Sequence, residues 1–206
     1  KSTGSIKTGT ANDTVTLSVT TEATLAVDLG EKTSDSDTLK ISGANNLGVT
    51  VFDLSAADQI LQINGVTSTG DETGIENVDL SGLTGTQGAS ITGNNETNVI
   101  VGTLNADTIV PGEGADDVTG GTGNDTIDLQ ESTGKADRLF FSDSNGIDTI
   151  TNFSVNEDTM GFDALTGIDG SDADDIEGFT ANATKVTAAD QHIYVIQISN
   201  LLVHVL

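Results

Sequence analysis

Cysteine is absent from the 206 residues. That excludes disulfides and thiolate metal sites but does not fix a compartment. Basic residues are scarce, 7 Lys and Arg against 32 acids, for a net charge of −25. None lies between Ile41 and Gly134, a stretch holding 14 Asp and Glu. Such a surface repels nucleic acid and anionic membrane and suits cations. Pro111 is the single proline, tryptophan is missing, and aromatics make up 3%. Acidity with few aromatics also fits disorder. Here Val, Ile and Leu recur regularly and Gly sits at fixed offsets, so a folded chain is expected when cations are present, with disorder the competing state without them. No apolar run reaches the length of a membrane span, so no membrane insertion is expected. Lys1 opens the chain with no signal peptide behind it, which reads as a fragment or processed product.

What is present is a repeat. "PGEGADDVTGGTGNDTID" (111–128) is two nine-residue units, each with Gly at positions two and four, an acid at six and an aliphatic at eight. The frame extends backwards through "TGTQGASIT" (84–92), "GNNETNVIV" (93–101) and "GTLNADTIV" (102–110). Position eight is then Ile91, Ile100, Ile109, Val118 and Ile127, all β-branched strand formers. Position six is Ala89, Asn98, Asp107, Asp116 and Asp125. After the insertion "LQE" the frame resumes in "STGKADRLF" (132–140), and after another slip in "DSNGIDTIT" (143–151), giving Asp137 and Asp148. Upstream of 84 the rule fails, but short alternating strands persist: "DTVTLSV" (13–19), "ATLAVDL" (23–29), "DTLKISG" (37–43), "VTVFDL" (49–54), "ILQING" (60–65) and "ENVDLSG" (76–82). "TGTANDTVT" (8–16) and "KTSDSDTLK" (32–40) echo the repeat singly. Helix signals are poor; "SAADQ" (55–59) and "TAADQ" (187–191) offer a turn at most. Beyond 151 the chain reads as acidic loop with short strands, then "HIYVIQISNLLVHVL" (192–206) as two strands around Ser199-Asn200.

A six-residue loop and a three-residue strand form half a coil, so two units close one coil of 18 residues. Strand side chains alternate faces, which sends position eight inward and positions seven and nine outward. One aliphatic per nine residues is a thin core. Gly112, Gly114, Gly121 and Gly123 permit φ > 0, and a loop of alternating conformations turns its carbonyls to one side. Acids 18 residues apart stack roughly 4.8 Å apart. Two bare carboxylates at that distance repel by about 3.5 kcal/mol at an effective dielectric near 20. A divalent cation between them reverses the sign. Oxygen-only ligands suit calcium, which takes six to eight of them at about 2.3–2.6 Å.

"GGTGNDTID" fits the Gly-Gly-x-Gly-x-Asp-x-aliphatic-x repeat of the RTX family, and "PGEGADDVT" misses only the first Gly. The chain resembles the calcium-binding parallel β-rolls of proteins exported by type I secretion, strongly over 102–128 and more loosely over 84–151. "GIENVDLSGL" and "GASITGN" resemble, in style, the solenoids that lead into such repeats in bacterial surface-layer proteins and adhesins. The fold implied is all-β: an irregular parallel β-solenoid over 1–83, an RTX calcium β-roll over 84–151 and a C-terminal β cap over 152–206, in one continuous domain. The resemblance implies three cation sites. Thr103, Asn105 and Asp107 would face Gly120, Thr122 and Asp125. Gly112, Gly114 and Asp116 would face Ser132, Gly134 and Asp137. Gly121, Gly123 and Asp125 would face Asp143, Asn145 and Asp148. The first departs from the pattern at Thr103 and Asn105. Loops 84–89 and 93–98 lack the position-four Gly and the position-six Asp and are expected metal-free.

Catalytic sets are not found. His192 and His204 lie in the terminal apolar segment, and no His-Glu-x-x-His motif exists. His192 and Tyr194 share a strand face and read as edge packing. Only Lys135 and Arg138 approach the repeats as lyase-like bases, and Arg138 reads as the charge balance for its neighbour Asp137. "DGSDADD" (169–175) lacks the Gly and Glu of an EF-hand loop and offers at most an adventitious cation site. The expected function is therefore non-enzymatic. It is a calcium-dependent structural module of a secreted protein, extracellular or on the bacterial cell surface. A surface-layer protein comes first, and an adhesin or the accessory module of a type I-secreted enzyme is the alternative. Expected partners are Ca2+, further copies in a lateral lattice and a cell-surface glycan.

Overall fold

The computed structural model describes residues 4–19, 25–30, 35–68, 72–141, 146–154, 157–161, 194–198 and 201–205. The described residues hold strands and turns and no helix, and the parallel strands wind as a β-solenoid. "SAADQ" (55–59) is a turn. "TAADQ", "DGSDADD", His192 and Ile193 lie outside the described residues.

One wall is a seven-stranded parallel sheet. In chain order it holds β2 (Thr14–Ser18), β4 (Thr38–Gly43), β8 (Asn77–Leu83), β10 (Val99–Val101), β12 (Asp117–Thr119), β14 (Arg138–Phe140) and β16 (Thr159–Gly161). The facing wall is built on β5 (Thr50–Asp53), β9 (Ala89–Asn94), β11 (Thr108–Gly112), β13 (Thr126–Asp128) and β15 (Gly146–Thr151), also parallel. The chain alternates between the walls. Across the regular coils Val118 sits beside Ile100 and Ile109 beside both Ile91 and Ile127, so the two-unit coil is the register of both sheets.

Upstream the coils are longer. β1 (Gly4–Lys7) and β3 (Leu25–Asp28) form a two-stranded parallel sheet, extended by a bridge from Asp28 to Thr73. β6 (Ile60–Ile63) and β7 (Val66–Thr67) leave the solenoid direction as an antiparallel excursion on β5. The turn over 54–59 reverses the chain between β5 and β6, and the tight turn at Asn64-Gly65, both residues having positive φ, folds β7 back onto β6. Six upstream segments read as strands are strands, but "ILQING" runs antiparallel rather than adding a coil.

At the other end, β18 (Leu201–Val205) pairs in parallel with β15, and β17 (Tyr194–Ile198) pairs antiparallel with β18. The terminal apolar segment is thus a hairpin continuing the nine-stranded wall. The seven-stranded wall continues one strand further than the repeat was traced, to β16. "FSVNEDTMG" (153–161) is a further nonapeptide with Asp158 at six and Met160 at eight, where acidic loop was expected.

The core sits between the walls. Ile91, Ile100, Ile109, Val118, Ile127, Leu139 and Ile150 are all buried, as position eight requires. Burial of each contributes about 1.5–3 kcal/mol. Ordering each residue of a nine-residue unit costs roughly 1–2 kcal/mol in backbone entropy. Backbone ladders make up part of the difference, and the loops must supply the rest.

Candidate metal centre

Each strand of the seven-stranded wall is entered through the residue at position six: Asp13, Asp37, Glu76, Asn98, Asp116, Asp137 and Asp158. These side chains form a ladder. The N–H of Asp13 donates to Asp37 Oδ1 at 2.7 Å and that of Asp37 to Glu76 Oε2 at 2.7 Å. The Asn98 amide donates to the Glu76 carbonyl at 2.7 Å. The N–H groups of Asn98, Asp116 and Asp137 donate to Oδ1 of Asp116, Asp137 and Asp158 at 2.7, 2.9 and 3.1 Å. The facing wall repeats the device: Ala89, Asp107 and Asp125 donate to Oδ1 of Asp107, Asp125 and Asp148 at 2.6, 2.9 and 2.9 Å. One carboxylate oxygen of each acid thus replaces a strand partner for the backbone of the preceding coil.

The second oxygen separates the acids into two sets. In Asp107 it accepts the N–H of Thr103 at 2.6 Å, while Thr103 Oγ1 donates to Oδ1 at 2.9 Å. Asp13 and Asp158 are closed in the same way by Gly9 and Ser154. In Asp37, Asp116, Asp125, Asp137 and Asp148 the second oxygen is buried with no hydrogen-bond partner. Where position two is Gly112 or Gly121, with φ of 99° and 105°, no cap forms. A Cβ on Gly121 would lie 2.0 Å from the Thr103 carbonyl oxygen, so only glycine lets the coils stack there.

Burial comes first in pushing these carboxyls up. Asp125 rises to about 8, its neighbours Asp148 and Asp107 adding to the effect of burial. Asp116 rises to about 7 through burial, with Glu131 and Asp117 adding. Asp148 rises to about 6 through burial. Asp137 is raised by burial and by the charges of Asp116 and Glu131. Glu76, half-buried and beside Asp37, rises to about 7, desolvation coming first. Buried carboxylates without a counter-charge are costly, and among the described residues none of these forms an ion pair. Among the described residues the ion pairs are Lys7–Asp28, Lys40–Asp79 and Arg138–Asp117, all outward cross-strand partners. Arg138 therefore balances Asp117 of the coil before it, gripping it through Nε and Nη2, and not its sequence neighbour Asp137, whose side chain points inward.

The three inferred sites fare differently. In the first, the Thr122 N–H donates to the Thr103 carbonyl at 3.3 Å, Thr103 Oγ1 lies 3.2 Å from the Asn105 carbonyl, and both Asp107 oxygens are taken. Gly120 lies beside Asp125 Oδ2, which has no hydrogen-bond partner. In the second, Asp116 N–H donates to Asp137 Oδ1 of the next coil, and both Asp second oxygens are unpaired. Glu113 ties the loops by accepting from Ser132 Oγ at 2.6 Å and Thr133 Oγ1 at 2.7 Å. In the third, Asp125 meets Asp148 and Gly123 lies under Gly146, while Asp143 and Asn145 fall outside the described residues. Loop 84–89 is closed by amides. Asn105 Nδ2 donates to the carbonyls of Gly85 and Gln87 at 3.0 and 3.3 Å, and Asn45 Nδ2 to that of Gln87 at 3.0 Å. These are the position-two and position-four carbonyls, so an NH2 group meets the oxygens that elsewhere are available to a cation.

Asp13, Asp37, Glu76 and Asp158 were not read as members of the ladder, because insertions of unequal length hide the nine-residue frame. A shorter signal would have found them. An acid, then Thr or Asn, then an aliphatic or Met opens the strand in Asp13-Thr14-Val15, Asp37-Thr38-Leu39, Glu76-Asn77-Val78 and Asp158-Thr159-Met160, as in Asp125-Thr126-Ile127. Glu131 was missed because it lies in an insertion. It forms, with Asp137 and Asp158, a group whose carboxylate oxygens lie within 4.8 Å of one another. Buried acids with unpaired oxygens and this acidic group suit a metal ion. No protein-family model matches the chain, and comparison with curated proteins gives no match.

Proposed function

We propose that the chain is a calcium-dependent structural module of a secreted bacterial cell-surface protein, of the RTX kind exported by type I secretion, and serves in a surface layer. The observation that carries this reading is the set of second carboxylate oxygens left unpaired beside the glycine loops in Asp116, Asp125, Asp137 and Asp148. The donors are all carboxylate and carbonyl oxygen, which favours a hard cation over zinc or copper. The spread of residues across separate coils favours the adaptable shell of calcium over the strict octahedron of magnesium. Asp116 with Asp137, and Asp125 with Asp148, would hold the ions. A bound ion supplies the missing positive charge, neutralising the ladder and so stabilising the coils by linkage to folding.

Extracellular calcium modules bind at about 10⁻⁴–10⁻³ M, far above cytosolic calcium. A chain tuned to that range stays unfolded for export and folds outside. Circular dichroism during a calcium titration, followed by chelator, tests this. The β signal should rise over that range and fall on chelation. A full β signal and unchanged melting temperature in excess chelator would overturn the reading. Sedimentation in the same samples separates the roles: calcium-specific ordered assemblies, poorly reproduced by magnesium, support the surface layer. A strict monomer in calcium favours an adhesin stalk or the accessory module of an enzyme.

A further inference from the structure

The insertion "LQE" (129–131) interrupts the repeat between the Gly121 loop and the Ser132 loop. It is not a passive bulge. Leu129 is buried in the core, Gln130 points to solvent, and Glu131 turns back half-buried toward the ladder. Its Oε2 accepts the N–H of Lys135 at 2.7 Å, which fixes the carboxylate at the loop. There it meets Asp137 and, from the following coil, Asp158, all three oxygens lying within 4.8 Å of one another. Two oxygens on one calcium at about 2.3–2.6 Å are at most about 5.2 Å apart, so the spacing admits a single ion.

An independent observation marks the same point. Asp137 is fully buried, and its Oδ2 has no hydrogen-bond partner although Oδ1 is held by Asp116 N–H. Arg138 is gripped by Asp117 on the outer face, and Lys135 meets Glu131 through its backbone N–H. Asp158 is already closed, each of its oxygens accepting one N–H, from Asp137 and from Ser154, so it would reach an ion only through its remaining lone pairs. The Glu157 carboxylate lies over Gly134, whose φ is +46°, where any Cβ would be 2.8 Å from it.

We infer that Glu131, Asp137 and Asp158 form a further divalent-cation site of the calcium class, sharing Asp137 with the Asp116–Asp137 pair and built from three carboxylates rather than from glycine-loop carbonyls. The ion would fasten the coil of β16 to that of β14, where Thr133 and Lys135 stand in place of the glycines at positions two and four. This deepens the calcium reading above and rests on it for the choice of ion.

The test counts bound ions on the full chain by equilibrium dialysis against calcium, with terbium luminescence as a second readout. Glu131→Gln keeps an oxygen to accept from Lys135 and removes the charge. It should lose one ion, or weaken one site at least tenfold, while the β signal in excess calcium persists. Asp158→Asn should lose the same ion, so the double variant loses no more than either single one. Unchanged stoichiometry and affinities in Glu131→Gln overturn the site, as does loss of a further ion in the double variant. Asp125→Asn reports on the glycine-loop reading separately: if it alone leaves the count unchanged, that reading fails while this site stands.

Discussion

Two stretches of equal length, residues 39–83 and 84–128, wind the same solenoid by different means. The first buries Leu39, Ile41, Phe52, Leu54, Ile60, Ile63, Ile75, Val78, Leu80 and Leu83; the second buries five β-branched side chains and Ala89. The first also closes buried backbone groups with the neutral amides of Gln59 and Asn77, beside the ladder carboxylate of Glu76. Gln59 donates to the carbonyls of Leu54 and Ile75 at 3.0 and 3.1 Å and accepts from Ile75 N–H at 2.8 Å. Asn77 donates to Ser36 Oγ and the Asp37 carbonyl and accepts from Val99 N–H. An amide both donates and accepts, so it can satisfy a loop by itself. An ionised carboxylate only accepts, so a loop built on one needs N–H or O–H donors, as at Asp107, or a cation to complete it. Asn105 shows the exchange within the repeat itself, its NH2 group meeting the carbonyls of Gly85 and Gln87.

This contrast breaks most sharply at single residues. Asp125→Ala removes an acid that joins two coils and should lower the calcium-loaded stability by about 3 kcal/mol or more, in the range for breaking a buried charged pair. In chelator the same variant should cost little. Gln59→Ala leaves three buried backbone groups unpaired and should cost about 2 kcal/mol, equally with and without calcium. Paired melts in calcium and chelator check both, and a calcium-dependent cost at Gln59 would erase the distinction.

Acid provides a subtler test. Asp125, Asp116 and Asp148, raised to about 8, 7 and 6 from an ordinary 3.8, bind protons more tightly folded than unfolded. In chelator their contribution to stability is therefore full below about pH 4 and is lost as pH rises through 6 to 8. The chelated protein should melt higher at pH 5 than at pH 8, a proton standing in for the ion. Saturating calcium should flatten or reverse that slope, and a melting temperature in chelator that rises with pH would contradict the burial of these acids. The smallest effect belongs to Asp117→Ala. Its loss of the exposed Arg138 pair should cost no more than about 1 kcal/mol, and a cost equal to that of Asp125→Ala would sink the nine-residue frame.

The repeat made the fold legible over 84–151, because Ile or Val at position eight and Gly at two and four fix both the coil and its facing. The upstream strands were legible as strands, yet their partners were not, since coils of unequal length break the frame and Asn64-Gly65 turns one strand back. The last coil was hidden because Met160 replaces the β-branched residue and acidity around Asp158 resembles loop. At the site, the paired aspartates were readable from spacing. What spacing does not carry is the state of the second oxygen, closed at Asp107 by Thr103 and open at Asp125 beside Gly121. Glu131 lay out of reach for the same reason, being placed by three dimensions and not by period.

Hydrogen exchange read by mass spectrometry on the full chain, in calcium and in excess chelator, compares the two stretches most directly. Chelation should strip protection from peptides within 102–151 while peptides within 38–64 keep theirs. Equal protection of both stretches in chelator would contradict the dependence of the repeats on a cation, and simultaneous loss from both would contradict the self-sufficiency of the amide-closed coils.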